Sequence, residues 1–241
     1  MSTAPAYPRS RVFDSLQYFF WAHPEWWTAI LCGIAWIVML LHAAQTAGHR
    51  MRHGMPFRQE LAFWLWMVAA MMLPLLLDTV RLAAARSLWP RRHRAIAGFL
   101  AGYFAPWLAV GLAAAWLLQA APAHTTAAAL CFAAAAAWRW TPWHQRALAA
   151  CHRTQPLAPF GWRADRDCLR FGAANGAACV ASCWLLMVAC ALTGHHWLAM
   201  TGGLAAGAAE RRSFRPRRRA ITAATLLLAG YYGWMAAIGP T

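Results

Sequence analysis

Seven long apolar runs divide the chain, near residues 27–46, 61–78, 95–118, 121–138, 171–192, 195–210 and 220–238. A helix of about 20 residues, rising 1.5 Å per residue, crosses roughly 30 Å of hydrocarbon. The runs are of that order and carry no arginine in their interiors. An arginine at a helix centre costs roughly 2.5–3.5 kcal/mol to insert, so its exclusion is what lipid demands. The pattern predicts an all-α, polytopic transmembrane bundle of about seven spans. The sixth run is the shortest: about 16 residues holding Gly202, Gly203 and Gly207 would reach only ~24 Å as a helix.

Charge placement orients the bundle. The 22 basic side chains, all arginine, stand against 7 acidic ones, for a net charge of +15. Arg9 and Arg11 precede the first run, and Arg81, Arg86, Arg91, Arg92 and Arg94 follow the second. Arg139, Arg146, Arg153, Arg163, Arg166 and Arg170 follow the fourth, and Arg211, Arg212, Arg215, Arg217, Arg218 and Arg219 follow the sixth. The opposite side has only Arg50, Arg52 and Arg58. By the positive-inside rule the N-terminus is cytoplasmic and the C-terminus outside. A re-entrant sixth run would put six arginines outside, so it is read as a crossing. Such a basic excess ordinarily suggests nucleic acid, but orientation and anionic lipid account for these arginines, and nucleic acid is not expected as a partner. At 61% apolar and 12% charged residues, against about 25% charged in soluble domains, the composition excludes disorder and argues against a water-soluble globule.

Residues 1–26 form a cytoplasmic or interfacial segment. Phe13, Leu16, Phe19 and Phe20 fall at roughly helical spacing before Trp26 and Trp27, which suits a helix at the bilayer surface. The first run is not followed by a small-residue cleavage motif and is expected to stay as an anchor. Residues 27–241 make one transmembrane domain with a cytoplasmic loop at about 139–170. Pro142, Pro156 and Pro159 break that loop, which is expected to hold short helices on the membrane face. Glycine pairs four apart, Gly98 with Gly102, Gly172 with Gly176 and Gly203 with Gly207, suit close helix packing inside the bundle.

Soft donors recur within two runs. In the second, Met67 and Met71 share a helical face, Met72 lies about 100° round, and Pro74 frees a backbone carbonyl. In the fifth, Cys179, Cys183 and Met187 repeat every four residues, and Cys190 follows three later. Measured from opposite ends, Cys183 and Met187 lie ~18 and ~24 Å in, and Met71 and Met67 ~15 and ~9 Å from the outer edge. The two sets therefore overlap in height. Thiolates and thioethers suit Cu(I), so copper is the expected ligand if the two helices touch. Two other readings stay open: buried Cys and Met acting only as packing, and a membrane thiol redox protein, although the chain has no C-x-x-C. Cys151-His152 and Cys168 in the long loop sit where they would hand an ion toward Cys179. On the outer side His42, His49, Met51, His53, Met55, His124, His195 and His196 form a second population of donors. Asp78 with Arg81, and Glu210 with Arg211, read as ion pairs, and Asn175 as a polar group bonding another helix. No nucleophile with a matched base and no paired carboxylates occur in a span, so an enzyme is not expected.

The run from Trp64 through Met67, Ala70, Met71, Met72 and Leu73 to Pro74 resembles a bacterial family described as predicted metal-binding integral membrane proteins, catalogued as domain of unknown function 2182. The resemblance covers roughly residues 60–211, through Gly102-Tyr103, Trp107, Thr141-Pro142, Leu148, the Cys151 to Pro156 region, Gly176, Cys179, Cys183-Trp184, Met187, Met200 and Glu210. The chain departs from that pattern at Ala147 and Ser182, where such proteins carry further cysteines, at Trp138-Arg139, and at His144. The resemblance implies metal binding, with Met67, Met71, Met72, Cys151, Cys179, Cys183 and Met187 as the candidate ligands. The expected function is copper binding for transport, delivery or insertion into a membrane or periplasmic metalloprotein. The alternative is a non-catalytic assembly scaffold.

Overall fold

The computed structural model describes residues 18–19, 21–46, 56–120, 125–212 and 218–238. Among them there is helix and no strand. The elements are α1 (Trp26–Thr46), α2 (Phe57–Ala85), a short 3-10 turn (Trp89–Arg91), α3 (Arg92–Ala120), α4 (Thr125–Trp138), α5 (Pro142–Cys151), α6 (Gly161–Leu192), α7 (Trp197–Arg212) and α8 (Arg218–Ile238). Each of the seven apolar runs corresponds to one of these helices. Five of them, α1, α2, α3, α6 and α8, contain stretches long and apolar enough to cross a membrane, while α4 is a shorter apolar helix. Ile30, Ile34, Ile37, Leu40 and Leu41 on α1, and Leu226, Leu227, Trp234 and Ile238 on α8, point outward and are exposed. Apolar faces on that scale suit contact with acyl chains, not water.

Helix α6 is the hub. It packs on α3, α4, α5 and α7 and touches α2. Its seam with α3 is a backbone contact, because the two glycine pairs lie against each other. A Cβ on Gly102 would overlap Leu169 O, one on Gly172 would overlap Phe99 O, and one on Gly176 would overlap Tyr103 O. Without a hydrophobic force between helices in lipid, this close approach is what holds such a pair together. The pair at Gly203 and Gly207 serves α2 instead, receiving Met71 and Leu75.

Two interior prolines are accommodated. Pro74 cannot donate to Ala70 O, and the Cys32 thiol of α1 faces that freed carbonyl at 3.9 Å. Pro106 interrupts α3 just before Trp107, whose carbonyl accepts from Trp64 Nε1 of α2 at 3.1 Å.

At the arginine-rich end the loop expected over 139–170 is mostly helical. Thr141 caps α5, accepting from His144 N at 3.2 Å and donating to Trp138 O at 2.7 Å, with Pro142 in the first turn. Only one face of α5 is buried, through His144, Ala147 and Cys151, while Trp143 is exposed with Arg146 over its ring. Helix α6 begins at Gly161, well before its apolar run near 171. Its 32 residues would extend ~48 Å, so the first turns, bearing Arg163, Asp165, Arg166 and Arg170, project beyond a bilayer core.

Two ion pairs cross between elements where the sequence pointed to near neighbours. Arg81 binds Glu25 at 2.5 Å, where the i,i+3 spacing suggested Asp78. Glu210 binds Arg139 at 2.6 Å, where adjacency suggested Arg211. Neighbours in a helix point about 100° apart, so Glu210 and Arg211 face different partners.

His144 lies beside the Glu210 pair, 3.8 Å from its carboxylate. Burial lowers its pKa from the ordinary imidazole range; Glu210 opposes the shift, while Arg139 and Arg218 add to it. As pH falls below about 6.5, the unfolded chain takes up this proton before the folded chain does, so stability falls with pH. The slope from this group is at most about 1.4 kcal/mol per pH unit. A thermal midpoint that drops between pH 7 and 5.5, and drops less in His144→Gln, is the expected result.

Candidate functional site

The sulfur cluster sits where α2, α3, α5, α6 and α7 converge. Cys179 of α6 is its centre, 1% exposed. Its Sγ lies 3.5 Å from Met72 Sδ of α2 and accepts from Tyr103 Oη of α3 at 3.0 Å. One turn on along α6 stands Cys183, whose Sγ lies 3.4 Å from Ser182 Oγ. The Ser182 hydroxyl also reaches Cys179 O at 3.0 Å, satisfying itself on its own helix. Cys151, at the end of α5, is buried beside Cys183, Ser182 and Arg211. Asn175 Nδ2 donates to Cys151 O at 3.0 Å, so α6 fixes the end of α5 over the cluster. Burial pushes the Cys151 thiol up, and Arg211 pulls against that shift.

The glycine seam explains this convergence. With Gly172 and Gly176 against the backbone of Phe99 and Tyr103, the Tyr103 ring is carried across α6 to the Cys179 thiol. All seven cysteines are free thiols.

Of the sequence candidates, the structure brings together Met72, Cys179, Cys183 and Cys151. Met71 is turned to another helix: a Cβ at Gly203 would come within 2.7 Å of its Cε and 3.5 Å of Cys190 Sγ. Met67 and Met187 are fully buried in the apolar core. On α2 it is Met72 whose sulfur reaches the thiol of Cys179. Cys168 belongs to α6 and packs near Gly98 of α3, its Cβ 3.6 Å from where a Gly98 Cβ would stand. Two neighbours have no place among the sequence candidates. Tyr103 appears there only as a matching residue, and Arg211 only as an orienting charge.

At the opposite end His42 stacks on Phe63 with ring centroids 3.8 Å apart, and His195 lies 6.0 Å from His42. His195 is 1% exposed and holds a left-handed backbone at φ 61°. His196 Nδ1 meets Tyr232 Oη at 3.2 Å. His49, Met51, His53, Met55 and His124 lie outside the described residues. Among the described residues no group of three or more His, Cys, Asp or Glu side chains is arranged to hold a metal ion. Met72, Cys179 and Cys183 make a thiol and thioether arrangement.

Fold and cluster together define a class: an all-helical bundle with membrane-length apolar helices and a closed knot of sulfur at its hub. The chain belongs to the PpoB2 family, described as a copper chaperone, whose profile matches residues 61–236. No curated protein and no solved structure matches it.

Proposed function

We propose that the protein is a seven-span carrier of Cu(I) in a bacterial inner membrane, with its N-terminus in the cytoplasm and its C-terminus outside. It is not an enzyme. Copper is its cargo, held between Cys179, Cys183 and Met72, with Cys151 as a relay from the arginine-rich end. The ion passes to a metalloprotein partner in the membrane or on its outer side.

The observation that carries this reading is the 3.5 Å approach of Met72 Sδ to Cys179 Sγ across two helices. Metal–thiolate bonds are about 2.3 Å, so sulfurs sharing one ion stand roughly 3.8–4.6 Å apart, within a small side-chain rotation of what is seen. Two thiols and a thioether are soft donors, suited to Cu(I) and indifferent to Mg²⁺ or Ca²⁺. Helices α4 and α7, at 14 and 16 residues, are short for spans, and local thinning of the bilayer lets them cross.

Membrane-extracted protein is expected to retain copper through desalting, and to lose it when Cys179→Ser and Cys183→Ser are combined. Full occupancy in that double variant rejects the reading. Met72→Leu separates the carrier from a packing scaffold. The swap keeps volume and costs under about 1.5 kcal/mol, so a scaffold tolerates it, whereas a carrier folds normally and binds copper more weakly.

A further inference from the structure

Arg211 closes the last turn of α7 and is turned inward. Its Nη1 donates to Leu75 O at 2.9 Å, beside Pro74, and its Nη2 is buried without a hydrogen-bond partner. Glu210, the adjacent carboxylate, is taken by Arg139. Among the described residues no carboxylate pairs with Arg211. Around it stand the thiols of Cys179, Cys151 and Cys183, the Tyr103 hydroxyl and the His152 ring. A half-buried guanidinium whose Nη2 is buried without a partner or a counter-anion is costly, and a thiol that bonds a metal supplies the missing negative charge.

Softness alone does not choose the ion. Thiolates bind Zn²⁺ as well as Cu(I), so charge is a second determinant that can act against the divalent ion. We propose that Arg211 sets the valence of the cargo: two thiolates, the guanidinium and a monovalent soft cation sum to zero, whereas a divalent ion leaves one uncompensated positive charge. In the step itself each thiol releases a proton to the buffer as its sulfur bonds the metal. No electron moves. Net charge in a low-dielectric interior is penalised steeply, and the divalent complex bears that penalty alone. Arg211 is on this account a specificity-determining residue that need not touch the ion. The inference rests on the carrier reading of Cys179 and Cys183.

The test uses full-length protein in detergent under reducing conditions. It is titrated with Ag(I), a redox-inert monovalent probe, and with Zn(II), each in competition with a chromophoric chelator. The wild-type chain is expected to prefer Ag(I). Arg211→Gln is expected to lower the Ag(I) to Zn(II) affinity ratio about tenfold or more, equivalent to 1.4 kcal/mol, while Arg211→Lys keeps the ratio. An unchanged ratio in folded Arg211→Gln overturns the proposal, as does an equal loss in Arg211→Lys. If Arg211→Gln does not fold, Asn175→Asp supplies the second arm. Asn175 Oδ1 is buried and unpartnered next to Cys151, so the change adds a negative charge to the same pocket. A fall in the ratio supports the proposal and a constant or raised ratio overturns it. Wild-type protein that binds neither probe, or binds equally well after Cys179→Ser with Cys183→Ser, overturns the carrier reading itself; binding that needs those thiols but ignores Arg211 overturns only the valence assignment.

Discussion

Gly172→Ala is expected to abolish the folded bundle or lower its thermal midpoint sharply, while Gly230→Ala leaves it intact. At Gly172 an added Cβ would overlap Phe99 O and come within 2.9 Å of Tyr103 N, both main-chain atoms of α3 that cannot rotate away. Overpacking a core typically costs roughly 1–3 kcal/mol, and a clash with rigid backbone belongs at or above the upper end. Relief requires α3 and α6 to separate, which also opens the approaches at Gly102 and Gly176 and draws Tyr103 off Cys179. Gly230 has nothing within 4 Å of its Cβ position, so alanine there is neutral or favoured by up to about 1 kcal/mol of helix propensity. Yield of monodisperse protein and the thermal midpoint in one detergent measure both. Equal stability of the two variants would mean that α3 and α6 do not meet at their glycines.

That seam was partly legible in the chain. Glycines four apart on two apolar runs announce close packing, and each of the seven runs locates one helix. What the runs do not carry is rotation. In α2 and α6 apolar residues occupy nearly every face, so no amphipathic contrast tells which side meets a neighbour. The sulfur spacing makes Met67 and Met71 look like the natural partners of the cysteines. The fold instead presents Met72 to Cys179 and leaves Met71 against Gly203, because the α3–α6 contact and the small residues of α7 fix the angle. Arg211 is hidden for a similar reason. Within six arginines following one run it counts as topology, and its inward turn toward Leu75 O is visible only in the fold. Tyr103 is a hydroxyl in the middle of an apolar helix, a position that asks for a partner, but nothing local identifies a thiol 76 residues away as that partner.

Glu210→Ala is expected to destabilise the protein by about 3–5 kcal/mol, because it strips the counter-charge from a buried arginine. Arg139 is 4% exposed and Glu210 7%, and the pair joins the turn after α4 to the end of α7. The same guanidinium donates to Thr225 Oγ1 of α8, so three elements are tied at one point. The pair itself contributes little net stability, since desolvation of both ions consumes most of their attraction. The single loss is severe because the remaining charge has nowhere to go. It follows that Arg139→Leu combined with Glu210→Leu recovers much of what either single change loses. A thermal midpoint for the double variant well above both single variants is the expected outcome, and a double variant at least as unstable as the worse single one would show that the pair holds the fold by geometry, not by mutual neutralisation. Metal preference reads the consequence for the centre: Glu210 precedes Arg211, so a single variant whose uncompensated charge pulls the end of α7 away moves the guanidinium with it, and its Ag(I) to Zn(II) affinity ratio should fall below that of the double variant.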